Sequence, residues 1–423
     1  MSQIIFHIDV NSAFLSWTAV EQLKNGFELD IREIPAIIGG DQKARHGIVL
    51  AKSVLAKKFG IVTGEPIVNA LRKCPEIQMF PPNHRMYSEY SARLMDFLKN
   101  YTPDIEQVSV DECYMDFTPI RNDFSSPIEA ATIIKNGVRD TFGFTVNIGI
   151  SDRKILAKMA SDFKKPDLIH TLYSYEIQQK MWPLPVRDLF LVGAATEAKL
   201  HKFGIYTIGD LAKADVSVLR RRLGKHGETI WHFANGRNAD LVTPTPAENK
   251  GYGNSVTTAT DVVTREQAHQ VLLGLCETVA ARMRKDDKCG GCVTVHLRTS
   301  DFHHFSHQSR LHGATNNTGQ LFKAACRVFD EAWDGITPLR QLGVQMTHLS
   351  AEPYQQYDLF SGMSPVQFER KLKLDETVDA LRDKFGEDII RRAKFAKDPD
   401  GHMTGGLDKA RRTGVTKPVP EEK

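Results

Sequence analysis

The chain's 423 residues, 41% hydrophobic and 25% charged, carry 55 Lys plus Arg against 52 Asp plus Glu, the make-up of a soluble globular protein with roughly two to four domains. The length excludes a small stapled scaffold, no run of about 18 apolar residues is available to cross a bilayer, and the net charge of +3 permits a polyanionic partner without requiring one. The stretch from Ile4 to Asp9 is too short and polar for a secretory signal, and six dispersed cysteines indicate reduced thiols, so the expected location is the cytoplasm, with no membrane partner.

Ile4 to Val10 reads as a short buried strand carrying Asp9, and Ser12 to Leu23 has helical apolar spacing. Ile34 to Gly39 and Gly47 to Ala51 are predicted strands, followed by the basic segment Lys52 to Gly60. Tyr87 to Asn100 is a predicted helix, and Ile105 to Val110 pairs with Cys113 to Phe117 as a hairpin with Asp111 and Glu112 at its turn. Ser126-Pro127-Ile128-Glu129 is a capping-box start to a helix ahead of a strand from Phe144 to Ile150. Strand, helix, hairpin, helix, strand is the order of a ferredoxin-like sheet, antiparallel strands on one side and helices on the other.

Beyond Asp167 short helices follow, two of them joined by a tight turn at Gly193, as a small helical domain. Val242 to Asn249 reads as a linker. A second α+β unit is then predicted from strands at Thr257 to Val262, Val293 to Arg298 and Leu342 to Thr347 and helices at Arg265 to Lys285 and Gly319 to Ala332. Cys289-Gly-Gly-Cys292 lacks a second pair and reads as a plain turn in preference to a metal or redox site. A last helix carries Leu374, Val378, Leu381 and Phe385, and 396–423, rich in Gly and Pro, reads as disordered.

Asp9, Asp111 and Glu112 fall at strand ends or turns. Turn carboxylates are ordinarily solvated, yet an adjacent pair beside a third across a sheet is costly without a cation; on these residues alone both readings stand. Mg²⁺ suits so small a cluster because it completes its shell with water and substrate phosphates, and two such ions serve phosphoryl transfer.

Phe6-His-Ile-Asp-Val-Asn-Ser-Ala-Phe14, Val108-Ser-Val-Asp-Glu-Cys-Tyr-Met-Asp116, Gly149-Ile-Ser151 with Lys158 and Lys165-Pro166, and the Gly193 turn resemble, in order, the signature blocks of the Y-family DNA polymerases. The resemblance implies an α+β multidomain fold: a ferredoxin-like palm at 1–10 and 78–167, small fingers at 11–77, a helical thumb with a helix-hairpin-helix turn at 168–238, a linker at 239–251 and an α+β little finger at 252–350. It implies template-directed, low-fidelity lesion-bypass synthesis by a monomer on primer-template DNA with dNTP. Two Mg²⁺ ions, with Mn²⁺ as an alternative, would sit on Asp9, Asp111, Glu112 and the Val10 carbonyl. Phe14 maps to the gate against ribonucleotides, and Lys165, with Ser53 and Lys57 nearby, to the triphosphate site. Gly193, Arg298 and Arg310 map to DNA-backbone contacts.

Some positions depart from the family pattern: Asn11, Ala13 and Leu191 replace an acid, an aromatic and a glycine, while Val54 and Lys57 stand where Tyr and Arg usually meet the triphosphate. An ammonium supplies charge but no bidentate fork. Within 351–395, Gln356-Tyr-Asp-Leu-Phe360 is similar to the linear motif that docks bacterial polymerases on a β-type sliding clamp, with Gln356, Leu359 and Phe360 as anchors. The competing class is a catalytically silent DNA- and clamp-binding scaffold, which needs no converging carboxylates. A third, a nucleotide cyclase on a similar palm, needs neither thumb nor clamp motif.

Overall fold

In this computed structural model residues 3–40, 47–237, 241–245, 248–351, 354–355, 365–396 and 402 are described. The chain divides into two units, Met1–Gly40 with Ile48–Ala247, and Asp41–Gly47 with Glu248–Lys423.

The first unit opens with β1 (Ile5–Val10), α1 (Ala13–Lys24), β2 (Ala36–Gly39), β3 (Val49–Lys52), α2 (Val54–Lys58), α3 (Ile67–Lys73) and β4 (Gln78–Phe80). β2 lies between antiparallel β3 and parallel β4. Its alternating side chains serve two small cores, Ile37 with Ile67 and Ala70 of α3, and Ala36 and Ile38 with Leu15 and Ala19 of α1.

Next come α4 (His84–Lys99), β5 (Ile105–Gln107), β6 (Glu112–Asp116), α5 (Pro127–Phe142), β7 (Val146–Ser151), α6 (Lys154–Asp162) and β8 (Ile169–Thr171). They complete a sheet of order β5-β6-β1-β7-β8. Two details differ from expectation. β8 runs parallel to β7, and helices cover both faces. Phe6, Ile8 and Val10 share a core with Leu94 and Leu98 of α4 and Ile134 and Val138 of α5, each such side chain contributing about 1.5–3 kcal/mol on burial. The other face of β1, bearing His7, is crossed by α6. Gly149 permits that approach: a Cβ there would stand 2.0 Å from the Ala157 carbonyl oxygen and 2.5 Å from Ser161 N.

The cap of α5 is also modified. Ser126 Oγ accepts from Glu129 N (3.1 Å) as expected, but the Glu129 carboxylate accepts from Ser125 N (2.7 Å), one residue outside the usual box.

Helices α7 (Ile177–Lys180), α8 (Ala194–His201), α9 (Ile208–Lys213), α10 (Val216–Leu223) and α11 (Lys225–Ala234) surround a core of Leu189, Leu200, Leu211, Leu219 and Ile230. Indole N–H groups tie them together, Trp182 to the Ala234 carbonyl and Trp231 to the Ala214 carbonyl, both at 3.0 Å. The start of the linker segment is anchored, Thr243 N donating to Glu106 Oε2 at 2.7 Å.

The second unit comprises β9 (Gly251–Val262), α12 (Arg265–Lys285), β10 (Cys289–Thr299), β11 (His304–Thr315), α13 (Thr318–Ala332), β12 (Leu339–Ser350), β13 (Tyr354–Gln355) and α14 (Pro365–Phe385). Its antiparallel sheet has the order β13-β11-β10-β12-β9, and α12 and α13 cover one face through Leu272, Val279, Leu321 and Phe329. Cys289 and Cys292 are buried within β10, not in a turn. A bulge between Gly290 and Cys292 explains the glycine pair, since a Cβ on Gly290 would meet Met346 Cε at 2.7 Å.

The last helix begins at Pro365, earlier than its apolar spacing indicated, and is fastened by charge. Asp375 accepts from Thr318 N at 3.0 Å, capping α13, while Arg284 Nε meets Asp379 Oδ2 at 2.5 Å. Glu277, 2% exposed, is met at Oε1 by Arg382 (3.2 Å) and Arg392 (3.0 Å) and at Oε2 by His402 (3.2 Å). Within 396–423, where disorder is expected, Ala396 and His402 are described and His402 is buried; 397–401 and 403–423 lie outside the described residues.

Candidate active site

At the end of β1 a cleft of about 460 Å³ opens, lined among others by Asp9, Val10, Phe14, Lys57, Asp111 and Lys165. Strand register places Asp9 opposite Glu112. Glu112 opens β6 and is not in the turn; Asp111 is the turn residue, its carbonyl accepting from Val10 N (2.9 Å) and its Oδ1 from Ser109 Oγ (2.5 Å).

Two ammonium groups meet these acids. Lys158 Nζ on α6 lies 2.5 Å from Glu112 Oε2 and 3.5 Å from Asp9 Oδ2. Lys165 Nζ lies 2.6 Å from Asp9 Oδ1 and 2.9 Å from Asp162 Oδ1. His7, whose Nε2 stands 3.3 Å from Glu112 Oε2, and then Lys158 pull Glu112 down to about 2 against the opposing effect of burial. Burial works against charge on Lys158, but Asp162, Asp9 and Glu112 outweigh it and raise its pKa; Asp9 and Asp162 do the same for Lys165.

Among the described residues no three acidic, His or Cys groups are gathered closely enough to hold a metal ion in this arrangement. The lysines neutralise the carboxylates instead. The donor chemistry nevertheless fits a hard divalent cation, because Asp9, Val10 and Asp111 offer the cleft only carboxylate and main-chain oxygens.

The cleft lining is also cationic. Lys52 and Lys57 belong to it, and burial followed by the charge of Lys57 lowers the pKa of Lys52, as befits a site that receives an anion. Ser53 is buried, its Oγ accepting from Ala36 N (3.1 Å) and Ala56 N (3.0 Å), so its lone pairs hold the α2 entry. Val54 is half exposed at the cleft wall. Phe14 is held flat against Tyr87, ring centroids 4.3 Å apart at 7°, with His84 edge-on at 5.9 Å. Tyr87, His7 and the bonding of Lys158 escaped sequence reasoning, although His7 sits two residues before Asp9, the period of one strand face.

The remaining expected sites are dispersed. Gly193 is the N-cap of α8 with no side-chain cap. Leu191 beside it has φ 71°, the left-handed region that a glycine would occupy without strain. Arg298 on β10 lies over the Phe302 ring (4.7 Å), and exposed Arg310 on β11 contacts His348 Nε2 (3.3 Å). Beside Arg298, His296 and His304 help line a 370 Å³ hollow on the sheet face opposite α12 and α13. Gln356, Leu359 and Phe360 lie outside the described residues.

Comparison with known proteins decides the family. Residues 8–162 match the impB/mucB/samB family, 249–359 the C-terminal domain of that family, and 187–238 a thumb domain described for DNA polymerase-iota. A DNA polymerase IV of Clostridium acetobutylicum is 46% identical across 93% of this chain and 98% of its own. One from Alkaliphilus oremlandii is 36% identical across 93% and 99%. This chain belongs to the Y family of DNA polymerases. A Y-family DNA polymerase chimera of known structure shares its fold, with TM-score 0.69 at 21% identity, covering 82% of this chain and all of the other. As a Y-family member it is a DNA-directed DNA polymerase of the translesion kind, acting on DNA and deoxynucleotides and dependent on a divalent metal. Among the described residues no helix is long and apolar enough to cross a membrane.

Proposed function

We propose that Asp9, Asp111 and Glu112, with the Val10 carbonyl, hold two Mg²⁺ ions, Mn²⁺ serving as an alternative, at the acid end of the cleft. The observation that carries this reading is the convergence on one cleft of Asp9 and Phe14 with Lys57, Asp111 and Lys165, from four separate stretches of the chain. The carboxylate and carbonyl oxygens would hold divalent ions whose charge would lower the pKa of the primer 3′-hydroxyl and offset that of the leaving pyrophosphate. The chain's own groups do the rest. Lys57 and Lys165 draw the triphosphate in, Lys165 exchanging its carboxylate partners for phosphate oxygens. Phe14, immobilised by Tyr87, stands under the sugar and leaves no room for a 2′-hydroxyl. Ser53 acts through the backbone it fixes.

By the same reading 1–10 and 78–167 are the palm, 11–77 the fingers, 168–238 the thumb and 252–350 the little finger, in a monomer. Gly193 with the N–H groups that follow it, Arg298 and Arg310 contact the DNA backbone, and Gln356, Leu359 and Phe360 dock on a sliding clamp. Single-nucleotide insertion kinetics test the cleft assignment: Lys57→Ala and Lys165→Ala should each raise KM for dNTP about tenfold, the loss of one charge-assisted contact. An unchanged KM in both variants would contradict it.

A further inference from the structure

We propose that Lys52, propped by Thr63, is a further triphosphate-binding residue, acting beside Lys57; this rests on the reading of the cleft as the nucleotide site. The placement begins with β3. Val49 and Ala51 on that strand are buried, Leu50 and Lys52 are partly open, and both of the latter line the cleft. Ser53 then caps α2 through its side chain, and Val54 and Lys57, three residues apart on one helix face, join the same lining. Two ammonium groups from adjacent elements therefore border one cleft. Lys52 Nζ donates to Thr63 Oγ1 at 3.1 Å, and among the described residues neither Lys52 nor Lys57 has an ion pair. Glu65, the acid whose charge reaches Lys52, is committed elsewhere, to Lys73 at 2.6 Å and to Val62 N at 2.9 Å.

Like charges gathered without a counter-ion are costly, and an arriving anion offsets that cost. Lys165 differs in this respect, being bonded to Asp9 at 2.6 Å and Asp162 at 2.9 Å. It trades carboxylates for phosphate, whereas Lys52 is uncommitted to any acid. An ammonium has three N–H donors; Thr63 takes one, and two remain for phosphate oxygens. Thr63 matters because the lysine stem is long and flexible. Holding its tip on a hydroxyl removes part of the freedom that binding would otherwise have to remove.

The test uses the full chain on primer-template DNA at fixed free Mg²⁺. Single-nucleotide insertion gives KM and kcat for dNTP, and inhibition of that reaction by tripolyphosphate, which has neither base nor sugar, gives a Ki for the phosphate chain alone. Lys52→Met should raise both KM and Ki about tenfold, the loss of one charge-assisted contact, with a smaller fall in kcat. Thr63→Val should raise both by a smaller factor, and Thr63→Ser, which keeps the hydroxyl, should restore them. Wild-type KM and Ki in Lys52→Met would overturn the assignment. A raised KM with an unchanged Ki would overturn it too, because Lys52 would then meet the base or the sugar. Wild-type values in Thr63→Val would overturn the prop. If Lys52→Met does not fold, Lys52→Gln carries the same expectation and the same refutation. Lys57→Ala and Lys165→Ala separate the two levels: if they too keep wild-type KM and Ki, the nucleotide-site reading itself fails, whereas loss in those two with Lys52→Met unchanged removes only the role of Lys52.

Discussion

Phe14 illustrates how one residue's function depends on its neighbours. An aromatic on the first helix is ordinarily core, but this one is partly exposed at a cleft wall and stacked on Tyr87, whose hydroxyl is 3.0 Å from Thr18 Oγ1. A ring braced on one side excludes a 2′-hydroxyl on the other because it cannot yield. Phe14→Ala is expected to raise ribonucleotide incorporation about tenfold or more relative to deoxynucleotide, measured as the ratio of insertion efficiencies; an unchanged ratio would remove the gate. Asp9 and Asp111 were legible in the sequence because carboxylates at strand ends beside apolar runs stand out. Lys158 was visible only as part of a motif, since its pairing with Glu112 and Asp9 is made through space from another element.

At the scale of elements, the helix expected from Arg265 to Lys285 has those same bounds in the structure, which adds a capping box at Thr264 and Gln267. β11 was not legible, since it sets Phe305 and Leu311 among His, Ser, Gln and Arg and shows a mostly exposed edge. α14 was legible as a helix but not as a fastening, because Glu277 and the residues that neutralise it are far apart in the chain. Burial pushes Glu277 up, but His402, Arg382 and Arg392 prevail and hold its carboxyl below the usual range. A lowered carboxyl stabilises the fold above its unfolded pKa of about 4.3 and loses that contribution as pH falls through the folded value. Glu277→Gln should therefore cost about 3 kcal/mol or more at neutral pH, with the gap from wild type narrowing below about pH 4. Thermal unfolding across pH 3–7 reads this out, and a pH-independent gap would contradict it.

Across the whole molecule, the order of signature blocks carried more than any single one. Family membership follows from matches at 8–162, 187–238 and 249–359, and the residues lining the candidate cleft all belong to the first unit. The segment proposed to dock on a clamp follows β13 in sequence and lies outside the described residues; a docking role predicts that its loss leaves chemistry intact. Replacing Leu359 and Phe360 with Ala should abolish clamp pull-down and shorten products made with the clamp, while distributive synthesis without the clamp is unaffected; loss of basal synthesis would make the segment structural instead.

The central claim is that the carboxylates on β1 and at the β6 hairpin carry metal-dependent nucleotidyl transfer. Primer extension on an undamaged template with four dNTPs and Mg²⁺ tests it most directly, comparing wild type with the paired substitution Asp111→Ala and Glu112→Ala. Extension by wild type alone, with DNA still bound by the variant, is the expected result. Extension by both proteins, or DNA binding without extension by either, would contradict it.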